Sequence, residues 1–416
     1  MYKKYGRVLL KTLNENNPLK DKSLESVRFS NLDHIWYDSD GNIHPEFENY
    51  KGKRFSLHFK IEQHDKNGVL VPFKGNFQLI YGLGELGPRD FEGVAVAERK
   101  DQDLVRSYKL IDNDATSDYF EKNLQAVGFL AACFPNQKVE DSKAQRIFHL
   151  AAFVFDDELE LENIRTGFSF HELRHFAKIA WEILYGKSVN LDNISSSAVK
   201  LPNAIVKFLG IVQLVQAELL NTEKVANVNG NYVRENFMRY IEGICLENSK
   251  EWNEPKLGTY YDAKKELRSW VGAALVCLEL AMFDAKINPN PDVRETFLFQ
   301  WFTTLYAKQT CLVNDLVSFR KEMETSSRGV DCNKVYLLHI KKGLPLKEAM
   351  QKVLDKANDL LFKLVDTGNL LCQLHKGDKH VERYVEKTKN IVHGHIQWYT
   401  FSDRYHKDFV FDCVLE

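Results

Sequence analysis

The sequence predicts an all-α fold, a large bundle of helices, preceded by a small extension that is partly β. Three observations lead there. Strict alternation of apolar and polar residues is confined to the stretch before Asp103, helical periodicity runs from there almost to the end, and several of those helices are apolar nearly all round. Helices of that last kind bury themselves among other helices, so the bundle has a centre in which an apolar cavity can form.

In RFSLHFKIEQH, Phe55, Leu57, Phe59 and Ile61 alternate with Ser56, His58 and Lys60, the period of a half-buried strand. A turn sequence, DKNG, follows, and VLVPF and NFQLIY beyond it suggest hairpins. From Asp103 onward the helical runs are DYFEKNLQAVGFLAACF, SKAQRIFHLAAFVF, FHELRHFAKIAWEILYG, LPNAIVKFLGIVQLVQAELL, ELRSWVGAALVCLELAMF and FLFQWFTTLYAKQTCLVNDLVSFRKEM. NLDNISSSAVKLPN, Asn190 to Asn203, reads as a loop between helices. The chain therefore divides into an extension, residues 1–102, and a helical unit, residues 103–416.

Composition narrows the partners. The 416 residues are 44% apolar, and 56 Lys and Arg nearly balance 58 Asp and Glu, for a net charge of -2. No basic stripe marks a polyanion site, so nucleic acid is not an expected partner. The N-terminus carries no apolar leader, and no run reaches the roughly 18 residues of a membrane span, so no integral membrane segment is expected and the expected location is cytoplasmic. Seven scattered cysteines, without a CxxC pair, read as reduced core thiols.

Candidate chemistry lies in several motifs. Gly82, Gly84 and Gly87 match GxGxxG, but Pro88 follows and no amphipathic helix opens, so a glycine-rich turn is the better reading than a dinucleotide site. HELRH, His171 to His175, satisfies HExxH, which on a helix sets two imidazoles one turn apart with Glu172 as base. A third zinc ligand has no obvious source nearby, and a polar helix face is the preferred reading. In DDELE, Asp156 and Glu160 stand four apart with Asp157 alongside, behind the apolar FHLAAFVF. Carboxylates crowded on one face repel unless a cation joins them. In NDLVSFRKE, Asn314, Ser318 and Glu322 form a second stripe of oxygen donors at i, i+4 and i+8. Hard oxygens without Cys or His suit magnesium, which prefers to share its shell with water and phosphate. Two such stripes imply a phosphorylated substrate between them.

These residues resemble class I terpene synthases of the non-plant kind, known from microbes and corals. Asp156, Asp157 and Glu160 resemble the family's aspartate-rich motif, in the variant form DDxxE, and Asn314, Ser318 and Glu322 match its NDxxSxxxE triad. Arg268 stands 46 residues before Asn314, where the family has its diphosphate-sensing arginine. RSWVG resembles the helix-break segment, with Val271 as linker and Gly272 offering a carbonyl to the substrate; Lys321 and the pair Arg404 and Tyr405 match further diphosphate-binding positions.

The resemblance, which spans residues 103–416 and has no counterpart in the extension, implies a class I terpene synthase-like bundle. It implies a magnesium-dependent cyclase, with three Mg2+ ions, acting on a linear prenyl diphosphate. C20 geranylgeranyl diphosphate is preferred to C15 farnesyl diphosphate, and the protein is a monomer or a homodimer. Aromatic faces attract a carbocation without reacting with it, which makes Phe153, Trp270, Trp301, Phe302 and Trp398 candidates for lining the pocket. Three rivals stand beside this reading: a chain-elongating prenyl diphosphate synthase, a zinc peptidase at His171 to His175, and a helical scaffold that binds a lipid diphosphate without turnover.

Overall fold

The computed structural model describes residues 54–64, 70–80, 103, 129, 133, 142–149, 152, 155, 168–191, 194, 203–226, 228–250, 261–325, 332–401 and 409–414. Strands β1 (Arg54–His64) and β2 (Leu70–Ile80) lead into helices α1 (Phe170–Leu184), α2 (Asn203–Ala226), α3 (Asn231–Glu247), α4 (Tyr261–Val271), α5 (Ala274–Asp284), α6 (Phe297–Thr325), α7 (Leu346–Leu374) and α8 (Lys379–Phe401), and a last strand, β3 (Phe409–Val414), closes the order. A further helical stretch covers residues 143–149.

The extension forms an antiparallel hairpin, Arg54 opposite Ile80 through His64 opposite Leu70. VLVPF and NFQLIY, which the sequence suggested as separate pieces, are one strand. Its Pro72 is accommodated because β2 is an edge of the three-stranded sheet, ordered β2-β1-β3, where a missing N–H need not break a ladder. The third strand comes from the far end of the chain: Phe59 pairs with Phe409 and Arg54 with Val414. The sheet runs beside α7 along β2.

Local sequence sets several helix ends. Ser169 and Glu172 form a capping box at the start of α1: the Glu172 N–H donates to Ser169 Oγ and the Ser169 N–H to Glu172 Oε2. Asn333 caps the short turn Lys334–Tyr336, and Pro345 precedes α7. Between α4 and α5 the chain breaks, with Ala273 in the left-handed region at φ 54.

Two apolar clusters hold the helices together. One joins the 143–149 stretch to α1, α2 and α3 through Phe148, Phe176, Phe208 and Phe237. The other joins α6, α7 and α8 through Phe302, Tyr306, Leu361 and Tyr384. Helix α5 feeds both, with Val276, Leu280 and Phe283 on one side and Ala274, Leu278 and Met282 on the other, which is why its sequence is apolar all round. Full burial of a side chain such as Phe208 contributes about 1.5–3 kcal/mol. Gly368 lets α6 and α8 close in, since a Cβ there would lie 2.9 Å from Phe302 Cε2 and 2.8 Å from Val385 Cγ1.

Helix α2 is long and apolar enough to cross a membrane by length and composition, over Ile205–Ala226, a stretch that the count of apolar runs in the sequence passed over. Its Ile205, Phe208, Val212 and Leu219 are instead buried in the first cluster. Of the cysteines among the described residues, Cys133, Cys245, Cys311 and Cys332 are buried and Cys277 and Cys372 half-buried, all as thiols outside any disulfide. Burial pushes the Cys311 thiol up to about 12, so it is no thiolate nucleophile.

Candidate active site

The site is built on α6, which carries Asn314, Ser318 and Glu322 on one stripe. Ser318 Oγ lies 2.6 Å from Glu322 Oε1, 2.7 Å from the Asn314 carbonyl and 3.4 Å from Asn314 Oδ1. The Asn333 amide then braces the stripe from outside α6, donating to Glu322 Oε2 at 2.8 Å and to the Asp315 carbonyl at 3.0 Å. An amide, a hydroxyl and a carboxylate oxygen thus converge, a donor set that fits a hard divalent cation.

Arg268 arrives from the last turn of α4, where the helix dipole favours a cation. Its Nε donates to Asp315 Oδ1 at 2.6 Å and its Nη2 to Asn314 Oδ1 at 2.6 Å. Asp315 is fully buried, and the Lys334 N–H also donates to its Oδ2 at 2.8 Å. Burial raises the Asp315 carboxyl to about 6, with Glu322 adding repulsion and Arg268 opposing both. Burial likewise works against the charge of Arg268, but the carboxylates around it, Asp315 foremost, leave its pKa well above the ordinary value, so the guanidinium stays charged.

Val271 ends α4 and Gly272 begins the break. The Gly272 N–H donates to the Arg268 carbonyl at 3.0 Å, and Cys311 Sγ from α6 presses on the same carbonyl at 3.5 Å. A Cβ at Gly272 would sit 2.5 Å from that sulfur. Only glycine lets the break lie so close to α6.

A directional chain of hydrogen bonds leaves the stripe toward α8. Asn314 Nδ2 donates to the Tyr399 hydroxyl at 2.8 Å, which leaves the Tyr399 proton for His395 Nε2 at 2.7 Å. Beside His395 lies a buried aromatic group. Phe129 meets Trp398 edge-on at 5.2 Å and stands 4.8 Å from the His149 ring and 5.6 Å from His395.

Of the residues the sequence singled out, Arg268, Asn314, Ser318 and Glu322 come together, with Val271 and Gly272 at the adjoining break. Lys321 falls in α6, its side chain outside the described residues, and Phe153, Asp156, Asp157, Glu160, Arg404 and Tyr405 lie outside them altogether. Trp398 is buried in the aromatic group. Phe302 is fully buried too, but against Tyr384 in the core between α6 and α8. Trp270 and Trp301 are exposed, 42% and 39%, the latter stacked on Phe297, so these three aromatics do not join the group around Phe129.

The zinc reading of HELRH does not survive the geometry. Glu172, the base it requires, is spent on the capping box of α1, its Oε2 accepting from both Ser169 N and Ser169 Oγ. His171 and His175 face an outer groove of about 500 Å³ with Trp181, Met238 and Glu242. No cluster of three His, Cys, Asp or Glu side chains able to hold a metal occurs among the described residues.

Four participants went unread in the sequence: Asp315, Asn333, Tyr399 and His395. Tyr399 and His395 had a signal, since they stand at i and i+4 on a helix that ends beside the RY pair. Asn333 had none, because its role depends on how the segment after α6 returns to it.

Comparison with known proteins follows the same geometry. Residues 200–361 match the family model described as terpene synthase family 2, C-terminal metal binding. The germacrene A synthase of Nostoc punctiforme is 23% identical over 322 residues, 75% of this chain and 90% of that protein. Terpene synthase 3 of Physarum polycephalum is 23% identical over 170 residues, and the chain spans only 46% of that relative's length. Among solved structures, 2-methylisoborneol synthase from Streptomyces coelicolor, in complex with Mg2+ and 2-fluoroneryl diphosphate, superposes with a TM-score of 0.65 at 15% identity, over 79% of this chain and 96% of that one.

Proposed function

We propose that this chain, a class I terpene synthase by its fold and its resemblance to known relatives, is a terpene cyclase. It ionises a linear prenyl diphosphate, closes the resulting carbocation into a terpene hydrocarbon or alcohol, and releases diphosphate. The observation that carries this reading is the convergence of Asn314, Ser318 and Glu322 oxygens directly beside the guanidinium of Arg268. Cation ligands and a phosphate fork in one place are what a diphosphate leaving group needs. C20 geranylgeranyl diphosphate is the first choice of substrate and C15 farnesyl diphosphate the second. Residues 103–416 are the catalytic unit, residues 1–102 its extension, and the protein works in the cytoplasm as a monomer or homodimer.

Mg2+, as three ions by family resemblance, supplies charge neutralisation that turns the diphosphate into a leaving group. Asn314, Ser318 and Glu322 would hold it from α6, and Asp156, Asp157 and Glu160 would hold it from the acidic run. Arg268, Lys321, Arg404 and Tyr405 bind the phosphate oxygens, a task suited to the planar fork of arginine. Asp315 keeps the Nε edge of Arg268 while its Nη2 edge can exchange Asn314 Oδ1 for a phosphate oxygen, so the cation need not leave its buried partner. The Gly272 carbonyl at the helix break faces the substrate in this reading. The rings of Phe129 and Trp398 offer faces that attract a carbocation and exclude water.

The triad NDxxSxxxE, standing where a chain-elongating synthase has a second aspartate-rich motif, weighs against elongation. The test is incubation with C10, C15, C20 and C25 prenyl diphosphates, with magnesium and with chelator, read by gas chromatography and mass spectrometry. A magnesium-dependent cyclic product is expected. Longer prenyl diphosphates would replace the reading by elongation, and no turnover of any substrate would replace it by a binding scaffold.

A further inference from the structure

The aromatic group around Phe129 holds a basic nitrogen that the diphosphate chemistry leaves unused. His149 is 3% exposed, and its Nδ1 lies 2.8 Å from the Gln145 carbonyl oxygen. A carbonyl only accepts, so Nδ1 carries the proton and the lone pair of the neutral ring is on Nε2. That Nε2 is buried with no hydrogen-bond partner. Leaving a buried polar atom unsatisfied costs about 1–3 kcal/mol, and such an atom calls for an explanation. Burial holds the imidazole down to about 4, against the small upward pull of the Gln145 carbonyl, so it is neutral at physiological pH.

Its position supplies the explanation. His149 packs against Phe129 at 4.8 Å and Phe148 at 5.8 Å. Its charge would be felt by His395, which ends the hydrogen-bond chain from Asn314 through Tyr399. In the sequence His149 precedes Asp156 by seven residues, the spacing of about two helical turns.

We propose that His149 Nε2 is the proton acceptor that ends the carbocation reaction. This rests on the cyclase reading above. In the closing step, a C–H bond beside the cationic carbon breaks, its electron pair becomes the second bond of a new C=C, and the proton bonds to Nε2. The imidazolium so formed returns its proton to the released diphosphate as the site opens. Phe129 and Trp398 hold the cation without trapping it, because their π-faces attract charge and offer no lone pair.

The test uses the full chain and the prenyl diphosphate that the wild type turns over. His149→Phe keeps the ring and removes the base; His149→Gln keeps a polar atom that takes up no proton. Diphosphate release and organic products are measured together. The native hydrocarbon formed per diphosphate released is expected to fall by about 100-fold, with other alkenes or alcohols in its place. An unchanged ratio in a folded variant overturns the assignment, as does a wild-type product that is solely an alcohol. Should neither variant fold, 15N resonances of His149 in the wild type decide: a neutral ring with the proton on Nδ1 supports the assignment, and an Nε2–H ring or an imidazolium at neutral pH overturns it. Failure of the wild type to turn over any prenyl diphosphate would instead sink the cyclase reading, before a variant is made.

Discussion

Tyr399 tests whether the site depends on the orientation of one amide. Asn314 is held at both ends, its Oδ1 by Arg268 Nη2 at 2.6 Å and its Nδ2 by the Tyr399 hydroxyl at 2.8 Å. Tyr399→Phe removes one oxygen and two hydrogen bonds, the second being that to His395 Nε2 at 2.7 Å. The ring, 1% exposed, stays packed. An unsatisfied donor and an unsatisfied acceptor remain, for a stability loss of about 1–3 kcal/mol each at most. The larger consequence is functional: without Tyr399 the amide can turn and present its NH2 where the cation needs oxygen. Outer partners of metal ligands typically govern roughly 10–100-fold in affinity or activity. The expected result is a tenfold or greater rise in the magnesium concentration for half-maximal turnover, about 1.4 kcal/mol, with the helical circular dichroism retained. A magnesium dependence identical to wild type would refute the idea that Tyr399 orients Asn314.

Four further outcomes are expected. Asp156→Ala and Glu322→Ala should each abolish turnover and leave the helical signal intact; full activity in either removes that residue from the cation site. Gly272→Ala should destabilise by about 1–3 kcal/mol through overpacking against Cys311, and Cys311→Ala should restore much of that loss in chemical denaturation; the absence of rescue would show that the contact is not what limits the position. Glu172→Ala should cost about 1 kcal/mol as a lost cap with no change in turnover. The Ser169 hydrogen bonds hold the Glu172 carboxyl below its usual range, so its stabilisation is present above the unfolded pKa and is lost as pH falls through the lower folded one, and a thermal melt across acid pH reads it. Truncation after His406 removes β3 while sparing Arg404 and Tyr405; a raised KM with retained helicity would mean that the β1–β3 pairing positions those residues, and an unchanged KM would mean it does not.

Helical content and the oxygen stripe were legible because both are local. Asn314, Ser318 and Glu322 share a face by the pitch of the helix alone, and apolar runs such as that of α2 announce burial whatever they pack against. Arg268 was found through a family spacing rather than from physics; nothing in ELRSWVG shows that its guanidinium will reach across to Asp315. The break after Val271 was likewise beyond propensity, since Ala273, a strong helix former, is held left-handed at φ 54, where the chain turns from α4 into α5 beside α6.

The sequence by itself determined the helical character of runs such as those of α1, α2 and α6, which face of α6 carries the oxygens, and the strand alternation of Phe55 to Ile61. Tertiary structure alone decided that Asn333 braces Glu322, that Tyr399 and His395 extend the site to α8, that Glu172 serves a helix end instead of a zinc ion, and that β3 pairs with β1. The physical reason is separation. A helix or a cap is fixed by residues within a turn of one another, whereas a hydrogen bond between Asn314 and Tyr399, 85 residues apart, exists only after packing of the bundle has ordered the chain between them.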